Sequence, residues 1–424
     1  AHACFPPSPR VGAHSRSRAM AESVPRPSEV LGGGPPGDPG AAGIVATVRG
    51  VGPPLRSFVL WHLRIGFRHL LLYLDDPDEL AEVQGLLHGC DTGGLLTFIP
   101  CDAEHRSAWR RLSKWQALGR YAEEEVQARQ MLNAEHAVEQ AARLGLAWLL
   151  HIDADEAFYC TDVRAHFAAL AAEGITCMSY LNFEAVAERE EVADPFLECT
   201  LFRRHLAAIR PAGRRTFDLL GRAVMHWLGR SPQRHLFEGY SNGKGATAVV
   251  QGVLPESVHS WRHATPELRG RAAHNFLHMP QPGVSEAARA PRSPLAARAC
   301  VLHFSAAVGY SAWRRKYALL GQFADTWFGG KLPIPPGFHR DSRDVCAKGD
   351  EEAARDFYRN RAMLTAEDEL CRQLESGLCV RICQLARLVQ ADPCTESLVA
   401  EVLAGAPPIH IEPGDSADQP TRGS

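Results

Sequence analysis

The amino-acid sequence predicts an α/β protein whose mostly parallel sheet is flanked by helices and followed by a helical C-terminal region. Short apolar runs alternate with segments of helical periodicity, which is typical of βαβ units. The runs are almost continuously apolar, as in strands buried on both faces of a sheet. The chain has 424 residues, 45% of them hydrophobic, so it can bury a substantial core, and wholesale disorder is excluded.

The elements follow one another in a regular order. The first predicted strand and helix are residues 44–48 and 55–65, and Gly66 ends that helix. Each later predicted strand is a short apolar run; these runs are residues 70–74, 95–99, 147–152, 175–180, 200–202, 247–250 and 300–304. Helical periodicity marks three further segments: residues 79–88, 121–144 and, amphipathic throughout, 351–399.

Composition divides the chain into segments. Residues 1–42 are rich in Pro and Gly and are expected to be disordered, and residues 404–424 are expected to form a flexible tail. Residues 43–330 form the predicted α/β domain, and residues 331–403 a helical appendage. There is no run of about 18 apolar residues and no signal-peptide pattern, so the chain reads as soluble and cytoplasmic without a membrane anchor.

Charge and cysteine content exclude some functions. The formal net charge is −3, which argues against a general nucleic-acid-binding surface. The twelve cysteines include no CxxC pair, which argues against a zinc ribbon or a thioredoxin-type motif.

Two predicted strands end in acidic residues. Asp75 and Asp76 follow the second strand, and Asp153 and Asp155 follow the fourth. Ligands of parallel α/β sheets bind beyond the carboxyl ends of the strands, where both clusters are expected to lie. In an extended chain the side chains of Asp153 and Asp155 would point to the same side, and paired carboxylates suit Mg²⁺ or Mn²⁺.

Two other functions that use acidic strand ends fit less well. A P-loop needs GxxxxGK[ST], whereas the segment 239–245 has the wrong spacing and ends in Gly where Ser or Thr is required. An aspartyl-nucleophile phosphatase would resemble Asp-x-Asp-x-Thr/Val, but the last position here is Ala157.

Residues 125–156 contain a helix with Arg129-Gln130 and Asn133, then an apolar strand, then Asp-Ala-Asp-Glu at 153–156. This pattern resembles the glycosyltransferase family 2-like group that is related to family 92. Weaker similarities extend the resemblance to about residues 43–328. They are short local patterns at 61–67, 71–76, 242–244, His259, 301–304, Trp313, Lys316 and Tyr317. One departure is at residues 49–52, Arg-Gly-Val-Gly, where that group usually has an Asn-Glu type of pair.

The resemblance implies a GT-A, Rossmann-like fold with a nucleotide half at about residues 43–180 and an acceptor half at about 181–330. It implies a glycosyltransferase, of hexosyltransferase type, that uses a nucleotide-sugar donor, UDP-linked by preference, a carbohydrate or glycoconjugate acceptor, and Mn²⁺ or Mg²⁺. It also points to a Golgi or secretory membrane, in contrast to the cytoplasmic reading above.

Particular residues are expected to form this site. The metal would lie on Asp153 and Asp155, with His259 and His303 as candidate further ligands. The nucleotide sugar would contact residues at the two acidic strand ends, the preceding helix and a glycine-rich turn: Asp75, Asp76, Arg129, Gln130, Asp153 and Lys244.

An inverting enzyme also needs a carboxylate base, and the sequence does not choose among Glu184, Asp218 and Glu256. Two alternative functions stay open. One is a non-catalytic nucleotide-sugar- or carbohydrate-binding protein of the same fold, and the other is a metal-dependent phosphohydrolase.

Overall fold

The structure is a computed structural model that describes residues 37–50, 52–90, 92–205, 243–263, 272–274, 298–321, 323–334 and 337–409. Most of the predicted Pro/Gly-rich leader and the end of the predicted tail lie outside these residues. The α/β domain begins slightly before the predicted boundary, because Ala42 is already the first residue of a buried strand.

The strands agree with the apolar runs and add several short ones. They are β1 Ala42–Val48, β2 His69–Leu74, β3 Leu96–Pro100, β4 Trp148–His151, β5 Glu156–Cys160, β6 Cys177–Tyr180, β7 Asn182–Ala185, β8 Leu201–Arg203, β9 Lys244–Ala248, β10 Val253–Pro255, β11 Trp261–His263, β12 Ala272–His274, β13 Ala299–His303, β14 Thr326–Trp327, β15 Leu332–Pro333 and β16 Cys379–Arg381.

The helices are α1 Pro54–Arg64, α2 Leu80–Leu86, α3 Ala103–Ala108, α4 Trp115–Leu118, α5 Val126–Arg143, α6 Val163–Ala172, α7 Pro195–Glu198, α8 Tyr310–Leu320, α9 Phe338–Ala347, α10 Glu351–Ala362, α11 Glu367–Glu375, α12 Gln384–Gln390 and α13 Glu396–Ala404. Single 3₁₀ turns cover Pro77–Glu79, Trp109–Arg111 and Gly119–Tyr121.

The main sheet has the strand order β12-β6-β9-β4-β1-β2-β3. The strand β1 runs parallel to β2 and β4, and β2 runs parallel to β3. Every residue of β2 and β4 is buried, as expected for strands covered on both faces. The helix α5 packs against β1 and β4. The predicted α/β class, with parallel strands flanked by helices, is therefore confirmed, and β9 adds an antiparallel strand between β4 and β6.

A second sheet has the strand order β16-β8-β7-β13-β5. The strand β5 begins at Glu156, only five residues after the last residue of β4. The segment that carries Asp153 and Asp155 therefore connects one sheet to the other. The register of β13 places His303 opposite Glu156 on one side and Glu184 on the other.

The C-terminal region is more closely integrated than a helical appendage would be. The strand β16 lies within it and pairs antiparallel with β8. Leu388 and Leu403 join the same hydrophobic core as the main sheet, and Arg64 of α1 donates to the Val389 carbonyl at 2.8 Å. A strand of three residues is too short to show an alternating pattern, so the sequence predicted only helices here.

Candidate functional site

The acidic motif lies in the connection from β4 to β5. Asp153 accepts hydrogen bonds on both carboxylate oxygens, from Gln130 Nε2 at 2.7 Å and from Lys244 Nζ at 2.5 Å. Asp155 accepts one from Lys316 Nζ at 2.6 Å. The chain turns at Asp155 and is not extended there, so the geometric reason for expecting both carboxylates on one side does not apply. Each carboxylate instead has its own lysine.

Lys244 is the cation at the centre of this turn. Its side chain is 0% exposed, and its Nζ lies 3.4 Å from Glu156 Oε2 as well as close to Asp153. Burial alone would lower the pKa of Lys244, but the two carboxylates outweigh burial and raise it. Burial raises the pKa of Glu156 to about 7, against the opposing effect of Lys244. Glu156 also accepts the backbone N–H of Asp153 at 2.7 Å, which closes the network.

Gly243 shows why a glycine precedes this lysine. Its φ is +57°, and a Cβ at this position would lie 1.6 Å from the carbonyl oxygen of Tyr180. The close approach of two backbones requires the glycine, so the glycine-rich turn that was predicted to contact the nucleotide sugar is tightly packed at this point. That Lys244 binds a phosphate stays a prediction, since the structure directs its ammonium group to Asp153.

His303 lies between two carboxylates at the end of β13. Its Nδ1 lies 2.9 Å from Glu184 Oε1, and its Nε2 lies 3.9 Å from Asp155 Oδ2. Burial alone would lower the pKa of His303, but Glu184 outweighs burial and raises it to about 9. The raised pKa favours the protonated ring, which pairs with Glu184. That His303 ligates a metal stays a prediction.

His259 approaches the same turn from the segment between β10 and β11. Its Nδ1 donates to the carbonyl oxygen of Gly243 at 2.8 Å. Burial lowers the pKa of His259 to about 4, with a further contribution from Lys244, so the ring is neutral at pH 7.

The side chains at the acidic turn, in the arrangement that they adopt, do not form a coordination site for Mn²⁺ or Mg²⁺. Both oxygens of Asp153 are already hydrogen-bonded, and an ammonium group lies against each aspartate. Within the described ranges, no three His, Cys, Asp or Glu side chains are grouped so that they could hold a metal ion. A cation on Asp153 would stand beside the buried ammonium of Lys244, which is electrostatically unfavourable.

Arginines bind the acidic residue at the end of β2. Arg129 forms a bidentate pair with Asp75, with Nε and Nη2 at 2.6 and 2.8 Å from the two carboxylate oxygens. Arg49 Nη1 lies 3.9 Å from the same carboxylate, and Arg106 donates to the Asp75 carbonyl at 3.1 Å. Asp76 accepts the backbone N–H of Asp78 and begins the turn of residues 77–79. Asp75 is thus paired with arginine. Residues 49–52, where the chain departs from the family pattern, contribute a second cation, Arg49.

A cavity of about 200 Å³ opens at this strand end. Three cationic and three anionic side chains line it together with one proline: Arg49, Arg106, Arg129, Asp75, Asp76, Glu123 and Pro77. Such a polar cavity suits a ligand that carries charge and several hydrogen-bonding groups.

The helix α5 forms side-chain hydrogen bonds with the carboxyl ends of three neighbouring strands. Arg129 binds Asp75 after β2, and Gln130 binds Asp153 after β4. Asn133, one turn further along, donates to Thr47 Oγ1 of β1 at 3.1 Å. The Arg-Gln…Asn pattern therefore has a physical role in the structure, because its three side chains position the rim of the sheet.

The remaining candidate residues have different positions. Trp313 and Tyr317 are buried in the core, while Lys316, on the same helix, reaches Asp155. Glu256 is exposed. Asp218 lies outside the described residues. Lys316 and Arg106 lie at the two acidic strand ends but were not predicted as site residues. The family pattern, which includes Lys316, is the signal that could have identified that residue.

No helix in the part of the chain that the structure describes is long and apolar enough to cross a membrane.

Comparisons with known proteins relate the chain to glycosyltransferase-like proteins. No family model matches. Two Arabidopsis thaliana proteins described as glycosyltransferase-like are 25% and 26% identical over 146 and 147 residues, 33% of this chain in each case. The matches cover 30% and 26% of those proteins, so the chain spans under a third of their length.

Among solved structures, the mannosyltransferase Ktr4p from S. cerevisiae in complex with GDP matches with a TM-score of 0.20 and 13% identity. The match covers 40% of this chain and 47% of that one.

Proposed function

We propose that this chain is a glycosyltransferase of GT-A type that moves a hexose from a nucleotide-sugar donor to a carbohydrate or glycoconjugate acceptor. One observation carries the proposal. The carboxyl ends of β1, β2 and β4 form a single rim, held by α5, that bears both the polar cavity at Asp75 and the charged turn at Asp153 and Asp155. The similarity to glycosyltransferase-like proteins supports the same activity.

The charges on this rim suit the chemistry of the donor. As the glycosidic bond breaks, the leaving nucleoside diphosphate gains negative charge, which fixed cations stabilise. Arg49 and Lys316 have side chains 50% and 32% exposed, so a ligand can reach them. We assign the nucleoside, UDP by preference, to the cavity at Asp75 and the diphosphate to the side of Lys316.

The acceptor must lose a proton to a base during inverting transfer. Of the candidates within the described ranges, Glu184 lies at the site, 2.9 Å from His303, whose other ring nitrogen faces Asp155. Glu256 is exposed, and within the described ranges its side chain makes no hydrogen bond or ion pair with the acidic turn. We therefore propose Glu184 as the base. No step is assigned to a divalent cation, because the donor set does not fit one.

Thermal unfolding in the presence of UDP-, GDP- and CMP-sugars tests donor binding. At least one donor is expected to raise the melting temperature, because a ligand at 100 times its Kd stabilises the folded state by about 2.7 kcal/mol. The corresponding free sugars, without nucleotide, serve as controls and should leave the melting temperature unchanged. A panel in which no nucleotide sugar raises it would contradict the proposal.

The same samples separate the two alternative functions. A non-catalytic binding protein would show the thermal shift without release of nucleoside diphosphate in the presence of any acceptor. A phosphohydrolase would release phosphate from p-nitrophenyl phosphate with no acceptor present, which the proposed transferase is not expected to do.

A further inference from the structure

Two lysines lie against the acidic turn. Lys244 Nζ lies 2.5 Å from Asp153, and Lys316 Nζ lies 2.6 Å from Asp155, so each aspartate of the Asp-x-Asp motif has its own ammonium group. Two ammonium groups carry the same total charge as one Mn²⁺ or Mg²⁺. The lysines come from different parts of the fold, β9 and α8, and meet only at this turn.

Lys244 cannot give way to a metal ion without a large cost. Its side chain is 0% exposed, and its Nζ is shared between Asp153 and Glu156. The backbone beside it is fixed, because Gly243 is in contact with the carbonyl of Tyr180 and β9 is paired on both sides, with β4 and β6. Displacing the lysine would leave a buried charge without its partners, which is strongly destabilising.

Lys316 differs from Lys244 in its access to ligand. Its side chain is 32% exposed, and its partner Asp155 is 26% exposed. An ammonium group has three N–H donors, so Lys316 can bind Asp155 and a phosphate oxygen at the same time. Its neighbour Arg315 on α8 is exposed and forms no hydrogen bond or ion pair with the residues that the structure describes.

We infer that Lys244 and Lys316 take the place of a divalent cation in this protein: Lys244 is the fixed counter-charge of the acidic turn, and Lys316 binds the diphosphate of the donor. The role of Lys316 rests on the proposed function, whereas the role of Lys244 does not. Nucleotide binding to this chain is therefore independent of Mn²⁺ and Mg²⁺.

Two measurements on the full chain test this inference. The first titrates Mn²⁺ into the protein alone and follows free Mn²⁺ by electron paramagnetic resonance; we expect no retention of the ion. The second measures the Kd of UDP and of GDP by calorimetry, in EDTA and again in Mn²⁺; we expect the two values to agree within about twofold. Stoichiometric retention of Mn²⁺ at a site lost in Asp153→Asn, or nucleotide binding that EDTA abolishes and Mn²⁺ restores, would overturn the inference.

Variants of α8 test the role of Lys316. Lys316→Met is expected to weaken nucleotide binding at least tenfold, because it removes a charge-assisted contact to the diphosphate. Lys316→Arg should restore most of the affinity, and Arg315→Met, which removes the same charge one residue away, should leave it unchanged. Equal affinities of Lys316→Met and wild type would overturn the role of Lys316.

The two measurements distinguish failure of this inference from failure of the proposed function. If neither UDP nor GDP binds in either buffer, the proposed function and the role of Lys316 fail together. The Mn²⁺ titration of the protein alone then still decides whether Lys244 has replaced a cation.

Discussion

Replacing Lys244 with methionine is expected to lower the free energy of unfolding by about 3–5 kcal/mol. The substitution keeps an unbranched side chain of similar length, so the main change is the loss of the ammonium group. Asp153 and the fully buried Glu156 then face each other without a counter-charge. Removal of one partner from a buried ion pair has a large effect because each remaining carboxylate must either stay charged without its partner or take up a proton, and both cost free energy.

Urea-induced unfolding followed by circular dichroism measures this effect. Lys348→Met is the matched control, because Lys348 is exposed after α9, and the same substitution there should change stability by less than about 0.5 kcal/mol. Adding Glu156→Gln to Lys244→Met should recover part of the loss, since it removes one of the uncompensated carboxylates. Equal stabilities of Lys244→Met and Lys348→Met would show that Lys244 is not the counter-charge of the turn.

Arg129→Met is expected to have the second largest effect, a loss of about 3 kcal/mol. The bidentate pair with Asp75 is nearly inaccessible to solvent, with side chains 8% and 2% exposed. We place the loss at the lower end of the range for buried pairs because Arg49, 3.9 Å from the same carboxylate, can compensate in part. The change also releases α5 from the end of β2, so the cavity beside Asp75 should lose its shape.

The control for Arg129→Met lies on the same helix. Arg143 is exposed at the C-terminal end of α5, where its contact with Glu139 is a long one of 3.9 Å, and Arg143→Met should change the urea midpoint very little. A double-mutant cycle with Asp75→Asn isolates the pair, because the second substitution should cost much less in the Arg129→Met background. Additive losses in that cycle would contradict a direct coupling of the two side chains.

The parts of the fold that sequence reasoning predicted are those with a strong local signal. The strands β1 and β2 are long apolar runs, so their positions agree with the sequence to within two residues. Glycines with positive φ, such as Gly66 and Gly145, follow the ends of the helices predicted before them. The connection between β4 and β5 was found for the same reason, because an apolar strand leads directly into acidic residues.

The partners of those acidic residues were beyond local reasoning. Lys316 is separated from Asp155 by 161 positions, and Arg129 from Asp75 by 54. A contact between distant residues leaves no periodicity in the sequence, so the carboxylates appeared available for a metal and for a nucleotide. The structure shows instead that three of them are engaged by cations of the chain itself, and this changes the chemistry that the rim can perform.

The second sheet illustrates a related limit. Glu184 and His303 come from β7 and β13, short strands that only the tertiary pairing brings side by side. The sequence named both residues but gave no reason to pair them. Their contact gives an expected metal ligand a carboxylate partner at 2.9 Å, on a neighbouring strand.

Release of nucleoside diphosphate from UDP- and GDP-sugars, measured with a panel of simple glycosides as acceptors, tests the central claim most directly. The claim predicts that the wild-type chain releases nucleoside diphosphate faster than the donor does without protein. It also predicts at least about a hundredfold slower release by Asp155→Asn, which removes the charge that positions Lys316, with Arg315→Met unchanged. No release from any donor, or equal rates for Asp155→Asn and wild type, would contradict glycosyl transfer at this rim.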